Sequence, residues 1–377
     1  MNYLRDIKNL NGVKVIMCAD FNVPVVNGMI IDNFRLRKII PSILYLRERK
    51  AKVILIGHIE TPKEHPTMEP VVKYLDNHDI TCSFIKDYKD ARREIDKMKN
   101  GDIVILENIR EHPEEKLNDD NFAKELASLA DIYVNEAFSV SHRSQVSVSA
   151  ITKFIPSYAG PLFEREVKNL STAFKPDHPF IFILGGAKFD TKLPLIEKFL
   201  DIADKIFVGG ALANNFFKEK GIEIGKSVVS PNNFNLSRFF DNKKLIFPID
   251  GVVSPDKKII KRIGELNPDD VMYDAGPETV KMLEKEIMQS KHILWNGPLG
   301  IYEQGFKEST QALAKIIANS TACGARSILG GGDTLATISD LSMEREFTFV
   351  STGGGAMLDF LAKGTLPGIE ALDRCIE

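Results

Sequence analysis

Along the chain, short apolar runs that stop at Gly, Asp, Asn or His alternate with longer stretches of helical period. In the first half these runs are VKVIMCAD (13–20), KVILIGH (52–58), DIVILEN (102–108) and DIYVNEAF (131–138). The second half repeats the scheme with FIFILGG (180–186), KIFVGG (205–210), KLIFPID (244–250), HILWNGP (292–298), RSILGGG (326–332) and FTFVSTGGG (347–355). The runs are apolar at successive positions rather than at every second one. That pattern predicts parallel strands covered by helices on both faces. The fold class it predicts is α/β, with two doubly wound, Rossmann-like parallel-sheet domains. Prolines and a glycine in TKFIPSYAGPLFEREVKNLSTAFKPDHP (152–179) frame an amphipathic segment, 161–174, that reads as a hinge helix. The expected division is 1–158, an interdomain helix over 159–174, and a second domain over 175–365.

Composition narrows the function classes. The 377 residues are 44% apolar and 27% charged, with a formal net charge of −3. This describes an ordinary globular protein without the positive field of a nucleic-acid or membrane-surface binder. Any anion must be held by local Lys and Arg clusters. The four cysteines, Cys18, Cys82, Cys323 and Cys375, have no CxxC spacing, so neither a zinc site nor a disulfide framework is indicated. No signal-peptide run and no stretch of eighteen apolar residues occurs, so the expected location is the cytoplasm.

Glycines gather where strands of the second half end. LGGGDT (329–334) and STGGGA (351–356) place glycine clusters between a strand and a helix start, and ILGGAK (183–188) and VGGALA (208–213) do so with fewer. Glycine lets a phosphate approach the backbone, and the helix N-terminus offers free N–H groups and a positive dipole end. Glycine also serves plain tight turns. Four such turns on one side of a parallel sheet nevertheless favour a nucleotide site. GIEIGKS (221–227) is one residue short of a P-loop and follows no strand, and no GxGxxG follows the first strand. Lys188 and Lys192, four apart, would share a helix face beside a phosphoryl group, or be a solvated helix face. Asp333 would be an N-cap or, in a phosphate cradle, a ligand of Mg²⁺.

The first half carries other groups. ADFNVP (19–24) puts Asp20 and Asn22 at a strand end. NFRLRK (33–38) adds Arg35 and Arg37, LENIREHPEE (106–115) adds Arg110, and NEAFSVSHRSQVS (135–147) adds His142 and Arg143. Singly, each arginine would be a surface ion-pair partner. Converging on the rim at the strands' carboxyl ends, they would form a basic cup for a small anionic substrate.

DFNVP, LENIREHPEE, FILGGAKFDTKLPLIE, EIGKS, WNGPLGIYE, LGGGDT and STGGGA, in this order and spacing, resemble the phosphoglycerate kinase family over essentially the whole chain. The resemblance implies Mg²⁺-dependent phosphoryl transfer between 1,3-bisphosphoglycerate and ADP, a monomer, a cleft closed by hinge motion, and a C-terminal tail, 366–377, packed on the first domain. It implies that Asp20, Asn22, His58 and Thr61 bind the substrate, that Arg110 and Arg143 bind its remote phosphate, and that Arg35 stabilises the phosphoryl group in flight. Lys188, Lys192 and Gly354 would face the transfer. Gly209, Gly210, Asn296, Glu303, Gly331, Gly332, Asp333 and Thr334 would hold the nucleotide, with Asp333 on the metal. Members usually read Ser-His-Leu-Gly-Arg-Pro where this chain has Gly57-His58-Ile59-Glu60-Thr61-Pro62, an aromatic residue where it has Glu111, and a second histidine where it has Gln145. With both glutamates inward, the cup would lose one positive charge and gain two negative ones. Facing solvent, or paired with a retained arginine, they would leave a working site. Two alternatives follow: a related carboxylate kinase for an acid without the remote phosphate, and a nucleotide-binding homologue that has lost catalysis.

Overall fold

The structure, a computed structural model, describes residues 1–60 and 66–374. It has two compact units, Met1–Lys168 with Lys363–Glu377, and Asn169–Ala362.

The first unit is built on a six-stranded parallel sheet. Across the sheet the strands run Ser83–Ile85, Ile103–Leu106, Lys52–Ile56, Lys14–Cys18, Ile132–Asn135 and Ser157–Ala159. The central strands are buried on both faces, as their unbroken apolar runs require. Helix Phe34–Glu48 shows the complementary logic: Leu36, Ile39, Ile43 and Leu46, at spacings of three and four, are all buried, and the helix packs on strand Lys52–Ile56. From Lys14–Cys18 the chain fills one side of the sheet, then returns to the other side with Ile132–Asn135. Connections therefore part in opposite directions between these two strands, and the switch point beyond their carboxyl ends is the place where open α/β sheets take ligands.

The second unit repeats the plan. Its parallel sheet runs Leu245–Ile246, Lys205–Val208, Phe180–Leu184, His292–Asn296, Arg326–Gly330 and Phe349–Val350. Numbered along the chain this is the order 3-2-1-4-5-6 of a doubly wound dinucleotide fold, with its switch between Phe180–Leu184 and His292–Asn296. Trp295, fully buried, anchors that switch by donating Nε1–H to the Gly297 carbonyl at 2.8 Å.

All ten apolar runs contain a strand of these sheets. KLIFPID yields only Leu245–Ile246, since Pro248 cannot donate to a ladder, and Asp250–Val252 pairs instead with Ile260–Arg262 and Asp274–Ala275 in a small antiparallel sheet.

Candidate active site

In the first unit, the loop after strand Lys14–Cys18 delivers Asp20, which is 4% exposed. Asp20 Oδ1 accepts the Asn22 backbone N–H at 3.0 Å, and Oδ2 accepts the Ser139 hydroxyl from across the sheet switch. Arg35, on the first turn of helix Phe34–Glu48, places Nη1 3.1 Å from Asp20 Oδ2 and donates to the Asn22 carbonyl at 3.1 Å. The Asn22 side-chain oxygen accepts the Glu60 backbone N–H at 2.9 Å. Asp20, Asn22, Arg35, Ser139 and the Gly57–Glu60 turn are thus one hydrogen-bonded array.

His58 is buried beside them, and its Nε2 has no hydrogen-bond partner among the described residues. Burial and the positive charges of Arg110, Arg143 and Arg35, opposed by Asp20, push its pKa down to about 3. Burial, then Arg143, also lowers Arg110. The charges of three arginines thus act on one histidine. Arg110 is 8% exposed, and its Nη1 meets the carboxylate of Glu60, which is 57% exposed. Glu111 points to solvent, and Arg143 is exposed with Nε donating to His142 Nε2 at 3.3 Å. The cup therefore gains one carboxylate, not two. Thr61, the remaining expected substrate group, lies outside the described residues.

Two residues that support the segment carrying His58 are not cations and do not stand out in the sequence. Asn108 Nδ2 donates to the carbonyls of both Ile59 and Pro66 at 2.9 Å, and Glu107 accepts the Met68 and Asn108 amides and the Thr67 hydroxyl at 2.7, 2.8 and 2.7 Å. They orient the turn that carries His58 and Glu60. Their one signal was position, an acid and an amide at the end of strand Ile103–Leu106, next to Arg110.

In the second unit, a cavity at the sheet switch is lined by Gly186, Gly210, Pro298, Leu299, Glu303 and Asp333, among others. The glycines there bring loops together. Gly210 has φ +57°, and a Cβ on it would lie 2.8 Å from the Gly186 nitrogen; one on Gly185 would lie 2.1 Å from the Pro298 carbonyl oxygen. Gly331, with φ +105°, ends its turn against the side chain of Asn296 and leads into helix Gly332–Asp340. The first amides of that helix, from Gly332, Asp333 and Thr334, lie where an α-helix leaves its N–H groups without internal partners. Gly354, with φ +52°, precedes helix Gly355–Lys363 in the same way.

The expected nucleotide residues divide by depth. Glu303 and Asp333 line the cavity. Asn296 and Thr334 are buried behind the turn, with Thr334 Oγ1 accepting the Gly297 N–H at 2.9 Å, and Gly209 packs on the Phe207 ring. The shared helix face expected for Lys188 and Lys192 is not what forms. Helix Phe189–Phe199 starts one residue after Lys188, so that lysine stands exposed at the N-cap, outside the helix, while Lys192 is buried at 6% exposure. Lys192 Nζ donates to the Gly185 carbonyl, and burial lowers its pKa to about 8. Asp333 is raised by burial and by Glu303, against the pull of Lys192 and Lys188. Two cations and two carboxylates thus act on one another at this turn.

The family model for phosphoglycerate kinase matches residues 4–364. The chain belongs to the phosphoglycerate kinase family. Phosphoglycerate kinase from Dictyoglomus turgidum is 40% identical over 390 aligned positions, covering 98% of this chain and 97% of the relative. That from Synechococcus elongatus is 38% identical, covering 97% and 96%. Among solved structures, phosphoglycerate kinase from Coxiella burnetii superposes with a TM-score of 0.86 at 34% identity over 98% of each chain. The Pyrococcus horikoshii enzyme gives 0.87 at 30% identity, over 99% of this chain and 98% of its own. As a phosphoglycerate kinase, the chain is a phosphotransferase with a carboxyl group as acceptor. This does not favour the acid lacking a remote phosphate, and the pairing of Glu60 with Arg110 removes part of what suggested it.

Proposed function

We propose that the first unit holds 3-phosphoglycerate and the second holds ATP or ADP. On this reading the chain carries out reversible transfer between 1,3-bisphosphoglycerate and ADP as a monomeric, cytoplasmic enzyme of glycolysis. The observation that carries the reading is the array at the first switch, where Arg35 bridges Asp20 and Asn22 while Arg110 and Arg143 act on the same histidine. Phosphoryl transfer asks for positioning and charge neutralisation rather than covalent help. His58, held neutral down to about pH 3, suits a hydrogen-bonding role and not that of a general base near neutrality. Asp20 and Asn22 would receive the glycerate hydroxyl region, Arg110 and Arg143 the remote phosphate, and Arg35 the group in flight.

Lys188, Lys192 and Gly354 would stabilise the transferring phosphoryl from the other unit. The nucleotide phosphates would lie on the Gly331–Thr334 turn and the base toward Glu303 and Gly210. An exposed carboxylate on a glycine-led helix start is a hard oxygen donor that fits Mg²⁺, which is held by one or two carboxylates plus phosphate oxygens; Asp333 would hold it. When bound, the ion neutralises charge on the β- and γ-phosphates. Because acid and nucleotide belong to separate units, hinge closure forms part of the reading. The test is a coupled assay in both directions with Mg²⁺. Turnover with 3-phosphoglycerate is expected. Its absence in folded protein that binds Mg-nucleotide would overturn the reading, and hydroxylamine trapping across a panel of carboxylic acids would then identify the acceptor.

A further inference from the structure

Glu60 is an acid in a cup otherwise built to hold an anion. The peptide that leads into it is held at both its polar atoms: the Glu60 N–H donates to Asn22 Oδ1 at 2.9 Å, and the Ile59 carbonyl accepts Asn108 Nδ2 at 2.9 Å. Its side chain is more than half exposed, so the carboxylate can rotate to solvent while the turn stays in place. In this structure the carboxylate sits on Nη1 of the buried Arg110, whose Nε and Nη2 have no partner among the described residues. Arg110 lies within reach of Arg143, a like charge that disfavours it. A cluster of cations without substrate is strained by its own repulsion, and an internal carboxylate relieves that repulsion.

We infer that Glu60 is a resident counter-anion of the acceptor cup, which the remote phosphate of the acid displaces from Arg110 on binding. Glu60 thereby sets specificity. A dianionic phosphate with three acceptor oxygens can take the guanidinium from a single half-exposed carboxylate, whereas weaker anions compete poorly. An acid that carries the carboxylate and hydroxyl but no phosphate does not meet Glu60 at all. The inference rests on the proposed placement of phosphoglycerate in this cup.

The experiment compares the full chain with Glu60→Gln and Glu60→Gly, using calorimetric titration with inorganic phosphate, 3-phosphoglycerate and glycerate, alongside steady-state kinetics. Nucleotide binding serves as the check that each variant is folded. Release from a partly exposed ion pair predicts that both variants bind phosphate and 3-phosphoglycerate roughly fivefold tighter. The KM for the acid falls correspondingly, while glycerate affinity and the nucleotide KM hold. Unchanged or weaker phosphate binding overturns the inference, as does an equal gain for glycerate, which would mean that the whole cup has rearranged. The two readings fail separately. Tighter phosphate binding without turnover removes the activity but keeps the counter-anion; turnover with phosphate affinity indifferent to residue 60 does the reverse.

Discussion

Lys192 holds an ammonium at 6% exposure, with Nζ on the Gly185 carbonyl and a Cβ on Gly297 due to fall 2.7 Å from it. Burial lowers its pKa to about 8, so the charge is present below that pH and fades above it until phosphate oxygens restore it. ADP affinity is therefore expected to drop between pH 7 and pH 9 in the wild type and to be flat over that range in Lys192→Met. A buried donor aimed at developing charge is worth about 10²–10³ in kcat, and that loss is expected of the same variant. A pH-independent wild-type affinity would assign the ammonium no part in phosphate binding. At this scale the sequence is readable where chemistry and strand-end position coincide. Asp20, Arg110 and Arg143 stand at or just past the ends of sheet strands, Arg35 stands on the first turn of a helix, and the charges of all four act on His58. What could not be read is which of two acids turns inward. Glu60 and Glu111 are alike in sequence terms; the backbone of Glu60 is held within reach of Arg110 by the bonds of Asn22 and Asn108 to the 59–60 peptide, contacts that span 38 and 49 residues.

Helix Pro161–Ser171 begins on a buried acid. Glu136 accepts the Leu162 and Phe163 amides at 2.8 and 3.1 Å and the Ser42 hydroxyl, with Arg165 acting on it from the same helix. Gly160 is required beside it, since a Cβ there would lie 2.0 Å from its Oε2. Burial outweighs these donors and raises the pKa from 4.5 to about 7. Between those values the folded chain binds more protons than the unfolded one, so this group's contribution to stability is fully present below pH 4.5 and is lost as pH rises through 7. Glu136→Gln mimics the protonated acid. Its stability relative to wild type should shift in the variant's favour by up to about 3 kcal/mol between pH 5 and pH 7.5. Urea unfolding of both proteins at the two pH values measures that difference, and no shift would mean the carboxyl ionises normally. Elements as a whole follow the same rule of legibility as residues. Buried central strands such as Lys14–Cys18 announce themselves by unbroken apolar runs. The edge strand Ser83–Ile85 and the exposed ladder Ile260–Arg262 bury too little side chain to leave such a run, and backbone pairing alone defines them.

The chain enters the second unit after Lys168 and returns to the first at Lys363, so the first unit is closed by residues from both ends of the sequence. The Met1 ammonium lies 2.7 Å from the Asp373 carboxylate. Helix Pro367–Leu372 buries Ile369, Ala371 and Leu372, and Leu366 is buried before it. The Gly368 N–H donates to the Ser141 carbonyl at 2.9 Å, and a Cβ on Gly368 would lie 2.7 Å from the Ser141 side chain. Ser141 stands between Ser139, which donates to Asp20, and Arg143, so the tail supports the segment that completes the acceptor cup. Ending the chain at Lys363 uncovers several buried apolar side chains, each worth about 1.5–3 kcal/mol, against a typical domain stability of about 5–15 kcal/mol. The first unit should therefore lose most of its stability, and backbone amides over 138–149 should exchange with solvent far faster. The second unit draws its sheet and its glycine turns from residues 169–362 alone, so ADP affinity is expected to stay within about twofold while 3-phosphoglycerate binding disappears. Hydrogen exchange and two ligand titrations on the truncated chain measure all three quantities. Equal loss of nucleotide binding would mean that the units do not hold their folds separately.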